Sequence, residues 1–239
     1  MNYLKLLPEY PRTRHLPYKP NAQRLDLIAS EEEAKVIFEN ENTFVEDKMD
    51  GANCGICFFE NNPVIRNRSN ILSKAKSGHL RTPAKIQFAP LWNFCYENRE
   101  KFDKLNNLAG FDVSVYGEWL YALHGIRYNV LPTYFMAFDL YDWEKGYFIE
   151  TGSARRLLDE AGFRVVPLLY KGKVESYEFL EKFMGEKSEF SDLDKREGIY
   201  VKVSDQEKVI SRFKWVRHDF IQGCRWDARQ ITKNKLKTF

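Results

Sequence analysis

Lys48 has the most chemistry within reach. In VEDKMDGANCG, residues 45 to 55, it stands between Asp47 and Asp50, with Gly51 just beyond. A lysine so placed is either a solvated charge in a turn or a nucleophile held in a tight loop. The second use needs a neutral amine. A free lysine titrates near ~10.4, so about one in 2,500 is neutral at pH 7, and making it mostly neutral costs about 4 kcal/mol. Desolvation and nearby cations lower an amine's pKa, whereas acidic neighbours raise it. Asp47 and Asp50 therefore oppose the nucleophile reading unless their charge is engaged elsewhere. Asp47, adjacent in a strand, is expected to point away, and Gly51 to let the loop turn tightly.

Further polar residues recur inside apolar stretches. YGEWL carries Glu118, FMAFDLYD carries Phe138 and Asp139, and REGIYVK carries Glu197 and Lys202. SRFKWVR supplies Arg212 and Lys214, two apart and hence on one strand face. RNRS holds Arg66 and Arg68. A carboxylate in an apolar strand is expensive unless it is paired or binds metal. Each residue also has a plain reading: Phe138 as core, Glu118 as a paired structural carboxylate, Arg212 and Lys214 as an exposed strand face. Cys54 and Cys57 form a C-x-x-C. No second Cys/His pair follows at zinc spacing, and residues three apart in a strand face opposite ways, so packing is the expectation. His15, His79, His124 and His218 show no triad or metal spacing.

The elements that must hold these residues are legible. Ser30 and Glu33 in SEEEAKVIFEN form a capping box that starts a helix. TFVEDKMDGANCGICFFENNPVIRNRS reads as strand, tight loop, strand, turn, strand. Phe88, Leu91, Trp92, Cys95, Phe102 and Leu105 recur at helical spacing. FDVSVYGEWLYA and YFMAFDLYDWEKGYFI return to strands. TGSARRLLDEAGF is a helix closed by Gly162, VVPLLYKGKV a strand and SYEFLEKFMGE a helix. REGIYVKV and KVISRFKWVRHDF form a final strand pair. Strands and helices mix without regular alternation, which predicts an α+β fold with antiparallel sheets flanked by helices. The expected organisation is a single domain over residues 1–239, with residues 1–25, rich in Pro, Arg and Tyr, as an extended arm.

Composition narrows the class. The chain has 239 residues, 44% hydrophobic and 30% charged, which suits a folded core rather than a disordered chain. No apolar run reaches the ~18 residues of a membrane helix and no signal-peptide pattern opens the chain, so a cytoplasmic protein without a membrane partner is expected. Four cysteines do not make a disulfide scaffold. Net charge is only +3, but Lys208 to Phe239 holds nine Lys/Arg against two Asp, and a second basic stretch runs from Arg66 to Lys85. Such patches suit a phosphate-rich partner, or are simply solvated.

Taken in order, KMDG, YGEW, FDLYD, REGIYVK and RFK resemble the motifs of the covalent nucleotidyltransferases: ATP-dependent DNA and RNA ligases and mRNA capping enzymes. The likeness covers about residues 45 to 220. Within that superfamily, KMDGAN with Asn53, the N-terminal YPRTRHLP and the block RFKWVRHDFIQ are most similar to phage-type and editing-type RNA ligases and their small bacterial relatives. DNA ligases and capping enzymes usually carry an OB-fold domain after the last motif. Only 25 residues follow Lys214, too few for one, so a nucleotidyltransferase fold without an OB-fold domain is expected.

The resemblance implies a three-step reaction using ATP and Mg²⁺ or Mn²⁺. Lys48 attacks the α-phosphorus of ATP, AMP passes to an RNA 5′-phosphate, and a 3′-hydroxyl displaces it. Asp50 would contact the ribose or the metal region, Arg68 a phosphate and Glu118 the ribose hydroxyls. Phe138 would stack on adenine, with Asp139 as its companion. Glu197 would bind the metal. Lys214 would hold the α-phosphate, and Arg212 would stand where a lysine is more usual. Glu46, Gly51, Asn53 and Lys202 would complete the nucleotide site. Arg12, Arg14 and His15 in the arm would grip the RNA 5′-phosphate, or be solvated. Two rivals stand beside the RNA ligase: a GTP-dependent capping-type guanylyltransferase, and a non-catalytic RNA-binding protein on the same scaffold. No protein partner is readable.

Overall fold

The computed structural model describes residues 5–22, 26–72, 83–221 and 231–238. Cys224, His79 and parts of both basic stretches lie outside the described residues.

The arm contributes β1 (Arg14–His15). The Ser30 capping box forms as expected and opens two one-turn helices, α1 (Glu31–Ala34) and α2 (Val36–Glu39). β2 (Thr43–Asp47) leads into Lys48, followed by β3 (Ala52–Phe59), β4 (Asn62–Asn67) and β5 (Ile71–Leu72). Glu60 and Asn61 take positive φ in the β3–β4 turn, the geometry that matches strand twist in a two-residue hairpin. The helical-spacing stretch divides into α3 (Pro83–Glu97) and α4 (Arg99–Ala109). Then come β6 (Val113–Trp119), β7 (Phe135–Asp142), α5 (Thr151–Glu160), β8 (Leu168–Lys171), α6 (Tyr177–Glu181), β9 (Gly198–Ser204) and β10 (Val209–Val216).

Among the described residues two five-stranded sheets result, in the orders β1-β10-β9-β2-β8 and β5-β4-β3-β6-β7. Every pairing is antiparallel except β1 with β10. Helices cover the outer faces. Leu91, Cys95, Phe102, Leu105 and Leu158 pack on Ile56, Ile65, Val115 and Leu140 of the second sheet. Ala34, Ile37 and Leu180 pack on Val45, Val201 and Phe213 of the first. Strand alternation then turns the opposite, polar faces of both sheets toward one cavity. Cys54 and Cys57 go to opposite sides of β3, each into a different apolar cluster, and burial raises both thiols, Cys57 to about 12. Packing is their role.

Candidate active site

A cavity of about 670 Å³ is lined from both sheets and from the arm. Cross-strand register explains which side chains share it. On the first sheet His15 pairs with Lys214, Lys214 with Tyr200, and Tyr200 with Glu46, so four strands send one row of polar residues inward. On the second sheet Asn53 pairs with Glu118. A bulge in the β6–β7 ladder leaves Phe138 between the paired residues Ala137 and Asp139, re-aiming it into the cavity.

Lys48 follows β2 directly and its amide donates to the Gly198 carbonyl at 3.1 Å. Its Nζ lies 2.5 Å from Glu197 Oε1, with the side chain 21% exposed. Lys48 is not depressed here. Burial alone would lower Lys48, but Glu197 and, behind it, Asp50 and Glu118 more than offset that and hold it above its ordinary value. The carboxyls respond in turn. Burial pushes Glu197 up to about 7 and Glu118 to about 8, against the pull of Lys48. Glu197 Oε2 is buried and has no hydrogen-bond partner among the described residues.

Of the two aspartates flanking Lys48, Asp50 is the one hydrogen-bonded elsewhere. Asp47 borders the cavity with neither carboxylate oxygen hydrogen-bonded among the described residues, Arg196 Nε lying 3.9 Å from Oδ2, and burial raises it to about 6. Asp50 Oδ2 accepts from the amides of Gly125 and Ile126 at 2.5 and 2.9 Å, and its own amide donates to the Tyr128 hydroxyl at 2.9 Å. Any part Asp50 takes toward ribose or metal falls to its other oxygen. Gly51 is required by space rather than by a positive φ: a Cβ would lie 2.7 Å from the Trp119 carbonyl and 2.8 Å from Leu120. Its amide donates to Glu118 Oε1 at 3.1 Å, which ties the nucleophile loop to β6.

Most expected residues gather here. Glu46, Lys48, Asp50, Gly51, Asn53, Arg68, Glu118, Phe138, Glu197, Lys202 and Lys214 all line the cavity. Lys202, however, is wholly buried and saturated: its Nζ meets Glu46 Oε2, Asp139 Oδ1 and the Phe138 carbonyl, each at 2.8 Å. Glu46 spends its other oxygen on Arg155 at 2.6 Å. Arg66 is also buried and donates to the Leu7 carbonyl at 2.8 Å, whereas Arg68 stands exposed at the rim. Lys214 pairs with Asp26 at 2.8 Å.

Other expected groups lie away from the cavity wall. Arg212 does not line the cavity. The wholly buried Asp139 draws it in at 3.3 Å, and its guanidinium lies over Phe148, 4.5 Å from the ring centroid, and donates to the Tyr10 hydroxyl at 3.1 Å. Burial would raise Asp139, but Lys202 and Arg212 outweigh it and hold the carboxyl low. Asp139, by the same contacts, supports the site rather than lining it. In the arm, alternation sends Thr13 and His15 inward, while Arg12 and Arg14 face away from the cavity and Arg14 pairs with Glu33 at 2.7 Å. His15 is buried beside Asp26, 3.3 Å away. Burial, with Lys214 next, lowers it to about 4, so it is neutral near pH 7.

Sequence reading missed Tyr200, Thr13, Tyr10, Gln87 and His124, which also line the cavity. Tyr200 was within reach, being two from Lys202 on the same strand. Thr13 bonds its hydroxyl, an arm contact no local signal announces. For a metal, no cage of three protein ligands exists among the described residues. The unpartnered Glu197 oxygen, with Asp50 close enough to perturb it and Glu118 perturbed by Glu197 in turn, fits a cation such as Mg²⁺, which takes one or two carboxylates and completes its shell with water and phosphates.

A family model described as RNA ligase matches residues 41–216. Among solved structures, an apo mutant form of Naegleria gruberi RNA ligase superposes with a TM-score of 0.58 at 14% identity, over 89% of this chain and 56% of that one. The same ligase with PPi gives 0.57 at 16%, over 87% and 61%. A mutant form with AMP and Mn gives 0.55 at 16%, over 88% and 56%. The chain thus spans little more than half the length of these structures, and the likeness is one of fold. No curated protein sequence matches.

Proposed function

The chain belongs to the RNA ligase family, and from that premise we propose that it is an ATP-dependent RNA ligase acting through a lysyl-AMP on Lys48. The observation that carries this reading is the Lys48–Glu197 pair: a lysine held by a single carboxylate inside a cavity large enough for a nucleotide. Phe138 offers a ring for adenine, Glu118 a carboxylate for ribose hydroxyls, and Arg68 and Lys214 charge for phosphates.

The chemistry follows from those groups. In the first step the Lys48 nitrogen forms a bond to the α-phosphorus, the bond to the pyrophosphate oxygen breaks, and the amine sheds a proton. Glu197 Oε1, 2.5 Å away, holds the ammonium beforehand, and the proton passes to solvent, which the 21% exposed side chain reaches. A divalent cation bound at Glu197 would supply positive charge that disfavours the ammonium and offsets the charge on the phosphates. Once Glu197 no longer holds the ammonium, burial favours the neutral, nucleophilic amine. Lys214 would leave Asp26 for the α-phosphate and follow it as AMP moves to an RNA 5′-phosphate. A 3′-hydroxyl then displaces AMP and forms the phosphodiester. The partner is RNA bearing 5′-phosphate and 3′-hydroxyl ends.

Incubation with ATP, Mg²⁺ and such an RNA should yield adenylylated 5′ ends and sealed product, and neither with Lys48→Ala. Protein that takes AMP yet joins no RNA would remove RNA as the substrate. Protein that takes GMP from GTP instead would move it to the capping class.

A further inference from the structure

Residues 120–134, between β6 and β7, contain no helix or strand of their own. A connection of this length without regular structure is uncommon in a compact fold and needs something to order it. The segment 231–238 does so. Leu123 donates to the Thr232 carbonyl at 2.8 Å, Lys235 to Tyr128 at 2.9 Å, Leu131 to Lys235 at 3.1 Å, and Lys237 to Leu131 at 2.8 Å. At the centre sits Asn234, 2% exposed. Its Nδ2 donates to the Leu120 and Ala122 carbonyls at 2.9 and 3.2 Å, and its Oδ1 accepts from the Tyr128 amide at 3.0 Å. Its backbone donates to Tyr121 and accepts from the Tyr134 hydroxyl. One side chain thus satisfies three backbone groups of the connection, groups that would be costly to bury unpaired.

The far side of that connection grips the nucleophile loop. The buried Tyr128 hydroxyl accepts from the Asp50 amide, and Asp50 Oδ2 accepts from Gly125 and Ile126. Gly125 allows this approach: a Cβ there would sit 2.7 Å from the Phe220 ring and 3.0 Å from the Asp50 oxygen. Asp50 is two residues from Lys48. A continuous set of buried hydrogen bonds therefore runs from Asn234 through Tyr128 to the backbone that carries the Lys48 amine.

We infer that Asn234 and Tyr128 are positioning residues for Lys48, and that segment 231–238 acts as a clasp fixing the nucleophile loop for attack. The inference rests on the ligase reading for its chemistry, but not for its geometry. Its test pairs two measurements on wild type, Tyr128→Phe and Asn234→Ala. The first is amide hydrogen exchange over residues 48–51. The second is single-turnover AMP transfer to the protein from α-labelled ATP. Tyr128→Phe removes one hydroxyl and keeps the ring, so it reports even if Asn234→Ala fails to fold. We expect exchange over 48–51 to rise about tenfold or more in Tyr128→Phe, well beyond any rise over the strands of either sheet, with a modest fall in melting temperature from the unpaired Asp50 amide. The rate at saturating ATP should fall about tenfold to a hundredfold, as small misplacements do, while KM for ATP stays within about twofold. Wild-type exchange, or a wild-type rate, in folded Tyr128→Phe would overturn the inference. If wild-type protein takes no AMP, the ligase reading fails, and exchange alone then decides whether the clasp exists.

Discussion

Lys48 and Lys202 lie in one cavity, each beside carboxylates, and their surroundings differ in kind. Lys202 is wholly buried and has three acceptors for three N–H donors. Its partners are saturated too: Glu46 by Arg155, Asp139 by Arg212 and Tyr10. Lys48 is 21% exposed and meets one carboxylate among the described residues, whose second oxygen is buried with no hydrogen-bond partner among them. Full satisfaction makes a network rigid, and partial satisfaction leaves groups that a ligand can recruit. The first cluster therefore ties β2, β9 and β10 of one sheet to β7 of the other, and the second is the place where chemistry can occur. Two arginines at the end of β4 repeat the contrast, Arg66 within the strand being buried on a backbone carbonyl and Arg68 just past it open at the rim.

Substitutions can break that contrast. Lys202→Met should give the largest loss of stability, about 3–5 kcal/mol in urea unfolding, because Glu46 and Asp139 lose a cation in a buried site. A loss below about 1 kcal/mol, the scale of a surface pair, would show that the network is not what binds the strands. Glu197→Ala should do the reverse, slowing adenylylation about 10²–10³-fold with little change in unfolding, since Lys48 can reach solvent. Arg68→Ala should raise KM for ATP about tenfold at unchanged stability, the loss of one charged hydrogen bond. Arg66→Ala should lower stability and spare KM.

The smallest effect is a pH dependence. Glu118 and Glu197 have folded values near 8 and 7, raised above 4.5 chiefly by burial. A raised carboxyl binds its proton more tightly in the folded state. Its stabilising contribution is therefore full below the unfolded value and is lost as pH climbs through the folded one. The ligand-free melting temperature should fall between pH 5 and 8, and Glu118→Gln should flatten that fall. A profile identical to wild type would mean that Glu118 is not held protonated.

What the sequence made legible was set by local rules. The Ser30 box, the β2–β3–β4 order and the inward Glu118 all follow from spacing and alternation. The residues that lie elsewhere than their spacing suggests depend on partners far along the chain. Arg212 shares a strand face with Lys214, as expected, yet only the fold brings Asp139 and Tyr10 close enough to take it. Arg12 and Arg14 share parity with each other, and it is the pairing of β1 to β10 that turns Thr13 and His15 inward instead. Asn234 sits in no recognisable pattern, because its partners lie more than a hundred residues earlier.

The most direct measurement is to incubate the protein with ATP and Mg²⁺, digest it, and locate bound AMP by mass spectrometry, with Lys48→Ala and Lys202→Met alongside. We expect AMP on the Lys48 peptide of the wild type, none on Lys48→Ala, and Lys48 still modified in whatever fraction of Lys202→Met remains folded. AMP on Lys202 or on another lysine, or none at all with ATP and metal present, would contradict the assignment of Lys48 as the nucleophile.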